Sequence, residues 1–209
     1  MELVELAQPA AKTMIAELVA EMRATHGAHA VIIYGSHARG DATAESDVDV
    51  AALCDVATTT RDARLWRGIY LDGFVYPSQL APSIELLKLL GGIIALDERG
   101  TARALLDQLE ALDRAGPPPL AADDAQMRRV WAEKTLARIR RGDVEAHYRR
   151  HQLLMNLLED YFALRGAWFR GAKVALAELP AEAREIFASA LAPDASIDAI
   201  AAAVELVIA

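Results

Sequence analysis

The sequence predicts an α+β fold, in which a small mixed sheet flanked by helices is followed by an all-α region. Two observations support this prediction. Short apolar runs bounded by glycine or proline, which are typical of strands, are confined to the first half of the chain. Beyond the prolines at positions 117–119, alanine, leucine, glutamate and arginine dominate, a composition that favours helices. With 209 residues, of which 54% are hydrophobic, the chain can bury one substantial core or two modest ones.

The first region is predicted to contain a helix, several strands and two further helices. Apolar residues at helical spacing predict a helix over residues 10–25, which ends near Gly27. The same reasoning predicts helices over residues 80–90 and 105–112. β-Branched and aromatic runs predict four strands, at residues 30–34, 48–53, 69–76 and 93–96.

A glycine and three prolines at positions 116–119 mark the boundary between two predicted domains. Proline fixes φ and lacks an N–H group, so this segment can continue neither a helix nor a central strand. We therefore expect one domain over residues 1–116 and a helical domain over residues 120–209. In the helical domain, Asp123 or Asp124 and Asp143 occupy positions where helix N-caps are needed.

The charge and the cysteine content restrict the class of partner and the compartment. A net charge of −8, spread along the chain, argues against a large nucleic-acid-binding surface. Cys54, the only cysteine, excludes an internal disulfide and fits a reducing compartment. Met1 is followed by Glu2 and Glu5 rather than by a basic leader, and no apolar run reaches the roughly 18 residues of a membrane span. We expect a cytoplasmic protein with no membrane association.

The sequence YGSHARG, which begins at Tyr34, joins the first predicted strand to a turn or short helix. Gly35 has no Cβ, so a phosphate group can approach the backbone closely, and the N–H groups at a helix start attract anions. Ser36 adds a hydroxyl donor. These features predict that Gly35 and Ser36 bind the phosphates of a nucleotide. Arg39 is a further candidate for phosphate binding, with an ion pair that fixes the loop as the alternative.

Two aspartates follow at the start of the second predicted strand. Asp47 and Asp49 are two residues apart, so their carboxylates project from the same face of the strand. Hard oxygen ligands of this kind suit Mg²⁺, whose coordination substrate phosphates usually complete. Asp72 stands among apolar residues in the next predicted strand and would supply a third carboxylate, with Asp55 and Asp62 as substitutes. Three carboxylates can hold two metal ions about 3.5–4 Å apart.

A Gly-Ser turn, a downstream Asp-x-Asp and a third carboxylate in a later strand resemble, in this order, the DNA polymerase β-like nucleotidyltransferase superfamily. The GSHARG form is similar to the minimal and kanamycin nucleotidyltransferase-like branches. The resemblance implies a catalytic domain over residues 1–116, in which Asp47, Asp49 and Asp72 bind two Mg²⁺ ions. The enzyme would transfer a nucleoside monophosphate from an NTP, with ATP expected, to a hydroxyl group of a small molecule.

The resemblance extends, less strictly, to the helical domain. In kanamycin nucleotidyltransferase-like enzymes a carboxylate of this domain acts as general base, and a following lysine contacts the triphosphate. Glu159 and Lys173 are similar in placement, so Glu159 is a catalytic candidate and Lys173 a nucleotide-binding candidate. Whether Asp72 or Glu159 accepts the proton stays open. The helical domain would bind the acceptor, and a homodimer is compatible with the sequence.

Several functions are compatible with the motif. A small hydroxylated acceptor, such as an aminoglycoside-like molecule or a sugar, is favoured because a helical domain follows the catalytic one. The alternative is a regulatory enzyme that modifies a protein or RNA partner in a toxin–antitoxin-like system, although the minimal antitoxins are normally shorter. A ribonuclease motif of Arg141 and His147 is disfavoured because Gly142 and Asp143 mark a helix start between them. A domain that only binds is disfavoured because all three carboxylates are present.

Overall fold

The computed structural model describes residues 9–209, with side chains from Lys12 onward. Met1, Glu2 and Glu5, on which the expectation about a leader rests, lie outside these residues. The chain divides into two compact units between Arg114 and Ala115, and each unit is described by itself. Among the described helices, none is long and apolar enough to cross a membrane.

The strands of the first unit form one mixed sheet, as the sequence predicts. Among the described residues these strands are β1 (Ala30–Tyr34), β2 (Val48–Cys54), β3 (Thr60–Trp66), β4 (Ile69–Pro77) and β5 (Ile93–Asp97). Their order across the sheet is β3-β4-β2-β1-β5. β2 and β4 run parallel, whereas the other neighbouring pairs are antiparallel. The predicted α+β fold class is therefore confirmed.

One face of the sheet is covered by helix α1 (Pro9–His26). Leu18 and Met22 of this helix are fully buried against alternate residues of the strands, including Ile33, Val50 and Leu71. Side chains alternate between the faces of a strand, so the residues next to these, among them Asp49 and Asp72, project from the opposite face. The two predicted metal ligands of β2 and β4 thus lie on the side of the sheet that α1 leaves open.

The strand β3 is absent from the sequence prediction, because Arg61, Asp62 and Arg64 interrupt the expected apolar pattern. The structure places β3 at an edge of the sheet, where charged side chains are tolerated and prevent pairing with another chain. A two-residue turn joins it to β4. Arg67 and Gly68 both have positive φ, at 50° and 83°, which is the conformation that a tight hairpin requires.

The helix predicted over residues 80–90 is wrong in type and length. A 3-10 helix, Ile84–Leu89, occupies only part of this segment. Pro82 explains the late start, because the residue before a proline is disfavoured in the helical region. A short helix α2 (Gly35–Arg39) follows β1, and α3 (Thr101–Ala115) is longer than the predicted 105–112.

The second unit is built from helices around its own apolar core. The described helices of this unit are α4 (Ala122–Ile139), α5 (Val144–Ala163), α6 (Ala172–Glu178), α7 (Ala181–Leu191) and α8 (Ile197–Ile208). Phe187 is fully buried and packs edge-on against Tyr161. Asp143 is the N-cap of α5 and accepts a hydrogen bond of 2.8 Å from the Ala146 N–H, as predicted. Ala121, rather than an aspartate, precedes the first turn of α4.

Candidate active site

Three adjacent strands place Tyr34, Asp49 and Asp72 in one row across the sheet. Asp49 of β2 pairs in register with Asp72 of the parallel strand β4. On its other side, Asp49 faces Tyr34, the last residue of β1. Ser36 and Gly35 follow Tyr34 directly in α2, and Asp47 precedes β2 by one residue. The motif residues of the first unit therefore meet where β1 ends and where β2 and β4 begin.

The surroundings of Asp49 disfavour the negative charge of its carboxylate. Burial, together with repulsion from Asp47 and Asp72, raises the pKa of Asp49 from 3.8 to about 6. Lys88 and Arg39 act in the opposite direction and only partly compensate. A carboxyl group whose ionisation is this costly favours a cation as a neighbour. Asp47 and Asp72 thus both repel the Asp49 carboxylate.

The Asp49 carboxylate leaves no room for a side chain at position 35. A Cβ atom at position 35 would lie 1.9 Å from Asp49 Oδ2 and 2.8 Å from its Cγ, far closer than non-bonded atoms can approach. Gly35 also has a φ of 69°, a conformation that disfavours residues with a side chain. The sequence alone predicts that a phosphate group approaches the backbone closely at this glycine. In the structure the group that approaches closely is the Asp49 carboxylate.

The residues fit a site that metal and phosphate complete. Ser36 is buried, and its Oγ has no hydrogen-bonding partner among the described residues. A buried hydroxyl without a partner is costly, and a bound phosphate oxygen would satisfy it. Within residues 9–209, no three acidic, histidine or cysteine side chains enclose a metal position by themselves. Carboxylates are nevertheless the ligands that Mg²⁺ prefers, and it commonly takes its remaining ligands from water and substrate phosphates.

Two cationic residues that the sequence analysis missed face these carboxylates. Arg61 of β3 contacts Asp72 Oδ1 through both Nε, at 3.0 Å, and Nη2, at 2.9 Å. Lys88 places its Nζ 3.6 Å from the centre of the Phe74 ring and 5.4 Å from that of Tyr34. Burial of this amino group lowers the pKa of Lys88, although the residue as a whole is exposed. Arg61 could be recognised from the sequence only if the edge strand β3 were predicted first.

The other predicted site residues lie outside the row of carboxylates or in the second unit. Arg39 forms an ion pair of 3.3 Å with Asp41, as its alternative interpretation proposed. Glu159 lies in α5 of the second unit, where it is 3.7 Å from Arg128. Lys173 is exposed in the first turn of α6. The participation of Glu159 and Lys173 in the site of the first unit stays a prediction.

Replacing Gly35 with alanine should destabilise the fold at the Asp49 carboxylate. Gly27→Ala is a matched control, because Gly27 has nearly the same φ, at 68° against 69°, and no atom within 4 Å of an added methyl group. Both variants lose about 1–2 kcal/mol for the left-handed backbone. Gly35→Ala should lose at least about 1 kcal/mol more in urea unfolding, since a buried clash is added. Equal losses would mean that Asp49 does not occupy this space.

Replacing Asp49 with asparagine should stabilise the metal-free protein at pH 8 and have a clearly smaller effect at pH 4.5. The raised pKa means that the folded state binds the Asp49 proton more tightly than the unfolded state. The corresponding stability is present below about pH 4 and is lost as the pH rises through about 6. Partial solvation reduces the expected gain at pH 8 to about 1–2 kcal/mol.

Urea unfolding in the presence of EDTA at both pH values measures this effect. Asp107→Asn, a change at an exposed position of α3, is the control and should alter stability by less than about 0.5 kcal/mol at either pH. A loss of stability in Asp49→Asn at pH 8 would contradict the repulsion described above.

The first unit matches the model of a known protein family. Residues 15–99 match the family model of the nucleotidyltransferase domain. The crystal structure of a nucleotidyltransferase-like protein from Exiguobacterium sibiricum is similar at 14% identity and a TM-score of 0.41, covering 94% of this chain and 72% of that one. No curated protein gave a significant match. The match of residues 15–99 to the nucleotidyltransferase domain family confirms the superfamily predicted from the Gly-Ser turn and the aspartates.

Proposed function

We propose that this protein is a Mg²⁺-dependent nucleotidyltransferase that transfers a nucleoside monophosphate from an NTP, with ATP expected, to a hydroxyl group of a small molecule. A nucleotidyltransferase domain supports nucleoside monophosphate transfer in general. The observation that carries the specific proposal is the crowding of Asp49 by Asp47 and Asp72 beside the unpartnered Ser36 hydroxyl. Unsatisfied negative charge and an unsatisfied hydroxyl in one place suit a metal ion bound to phosphate.

Each of the motif residues in the first unit has a distinct role in this proposal. The Ser36 hydroxyl group donates a hydrogen bond to a phosphate oxygen, and the absence of a side chain at Gly35 leaves room for the Asp49 carboxylate. Asp47 and Asp49, with Asp72, would hold Mg²⁺. When bound, Mg²⁺ supplies neutralising charge for the transferred phosphoryl group and for the leaving pyrophosphate.

The reaction itself is a displacement at the α-phosphorus. The acceptor oxygen forms a bond to the α-phosphorus, the bond from that atom to the bridging oxygen breaks, and pyrophosphate leaves with the bond electrons. The acceptor hydroxyl proton passes to a carboxylate. Asp72, in the row, and Glu159, in the second unit, are the two candidates for this base.

A small acceptor is favoured over a polynucleotide by the net charge of −8. The second unit also contains a cavity of about 330 Å³ next to Glu159, with Trp131 as an aromatic wall and Arg128 and Asn156 as polar groups. Such a volume falls within the range of small-molecule sites, and mixed aromatic and polar walls suit a hydroxylated ligand. This cavity supports an acceptor role for the helical unit.

Asp47→Asn should reduce transfer by more than about 100-fold, because it removes a predicted metal ligand, whereas losing a group that only orients a ligand costs about 10- to 100-fold. The assay follows the label of an α-³²P-labelled NTP into a panel of hydroxylated small molecules, including sugars and aminoglycosides. Asp55→Asn is the control, since Asp55 is bound by Arg99 and Ser78 at the other end of the strands and should keep near-normal activity. Activity retained in Asp47→Asn would refute the mechanism, and label transferred only to protein or RNA would favour the regulatory alternative.

Ser36→Ala should weaken binding of ATP in the presence of Mg²⁺ by about 10- to 100-fold, the loss expected for hydrogen bonds to a charged group. The change should affect GTP equally, because the contact is to phosphate rather than to the base. Calorimetric titration of ATP, GTP, ADP and AMP tests this, with the exposed Ser189→Ala of α7 as control. Unchanged ATP affinity in Ser36→Ala would contradict a phosphate-binding role for Ser36.

A further inference from the structure

The Arg61 side chain occupies the place of a cation at one of the predicted metal ligands. Two of its nitrogens contact a single oxygen of Asp72, Oδ1, at 3.0 and 2.9 Å. Asp72 stands in register with Asp49, so this contact lies in the row of carboxylates. A guanidinium keeps its charge at all accessible pH values, so Arg61 cannot be released from Asp72 by losing a proton. A divalent ion that binds Asp72 through the same oxygen must therefore displace it.

The geometry makes Arg61 easy to displace. Its side chain is 56% exposed, whereas that of Asp72 is 21% exposed. An ion pair with one partner so exposed contributes little to stability, because water and salt screen it. Arg61 also belongs to β3, which is the edge strand of the sheet that the described residues form, so β4 is its one neighbour among these strands. The pair can thus open without rearranging the sheet.

A second cation lies near Arg61 and would share its attraction to a bound anion. The guanidinium lies 5.4 Å from the centre of the Phe74 ring, and Lys88 Nζ lies 3.6 Å from the same ring centre. Two cations therefore stand around one aromatic side chain, close to Asp49 and Asp72. A divalent ion at the carboxylates would repel both, whereas a bound triphosphate would attract both.

We propose that Arg61 exchanges partners during the binding of substrate: it holds Asp72 in the nucleotide-free protein and moves to the phosphates of the NTP when the metal ion takes its place. This inference rests on the proposed function. It adds a residue that links metal binding to nucleotide binding, because the ion gains its ligand only when the arginine has another anion to bind. Arg61 is thus a positioning residue for Asp72 and a binding residue for phosphate.

Arg61→Gln should change two affinities in opposite directions. For Mn²⁺ alone, measured by the electron paramagnetic resonance of the free ion, affinity should rise about two- to fivefold, because the ion no longer competes with a partly exposed ion pair. For α,β-methylene-ATP at saturating Mn²⁺, affinity should fall about tenfold or more, because a charged hydrogen-bond donor to phosphate is lost. This analogue cannot be cleaved at the reacting bond, so neither measurement depends on turnover.

Matched variants assign the effects to the contact with Asp72. Arg64→Gln changes another arginine of β3, which projects from the opposite face and binds Asp62 and Glu21, and should leave both affinities unchanged. In an Asp72→Asn background, Arg61→Gln should no longer raise Mn²⁺ affinity, since the competing pair is already lost. Arg61→Lys should restore part of the nucleotide affinity because it keeps the charge.

Each other outcome contradicts the inference. If Arg61→Gln weakens both affinities, Arg61 only supports the position of Asp72. If it strengthens both, Arg61 only blocks the metal and does not bind phosphate. If it changes neither, while Asp47→Asn abolishes Mn²⁺ binding, partner exchange is wrong and the proposed function stands. If the wild-type protein binds no Mn²⁺ even with the analogue present, both proposals are wrong.

Discussion

The concentration of negative charge around Asp49 is the constraint on which the rest of the site depends. The parallel pairing of β2 and β4 sets Asp49 beside Asp72, and the residue two positions earlier, Asp47, adds a third carboxylate. The Asp49 carboxylate fits only because position 35 has no Cβ. A fold that needed stability alone would place apolar residues here, so the arrangement supports the proposed metal ion.

Cationic side chains of the protein itself neutralise part of this negative charge. Arg61 binds Asp72, and Lys88 approaches the row while resting on Phe74 and Tyr34. These contacts stabilise the carboxylates in the protein alone, because an uncompensated buried carboxylate would be costly. They are also weak enough to be exchanged, since Arg61 is more than half exposed. The same cations that stabilise the carboxylates can therefore attract the phosphates of a nucleotide.

The parts of the site that follow from local sequence could be predicted, and those that depend on strand pairing could not. The Gly35-Ser36 turn and the spacing of Asp47 and Asp49 are contained in one short segment, which made the family recognisable. The position of Asp72 beside Asp49 required the assumption that two strands are neighbours, and the register confirms it. Arg61 was missed because β3 is an edge strand, whose charged residues hide its period. Lys88 was missed because it lies in a 3-10 helix. The apolar pattern predicts a longer helix over residues 80–90 instead, which does not show where the Lys88 side chain lies.

The most direct test of the central claim is the location of a metal ion relative to Asp47 and Asp49. Crystals grown with Mn²⁺ and α,β-methylene-ATP would give an anomalous difference map in which manganese is identified independently of the protein. We expect a peak within about 2.5 Å of carboxylate oxygens of both residues, with phosphate oxygens completing the coordination. An ordered nucleotide whose manganese lies away from these two carboxylates would contradict this claim.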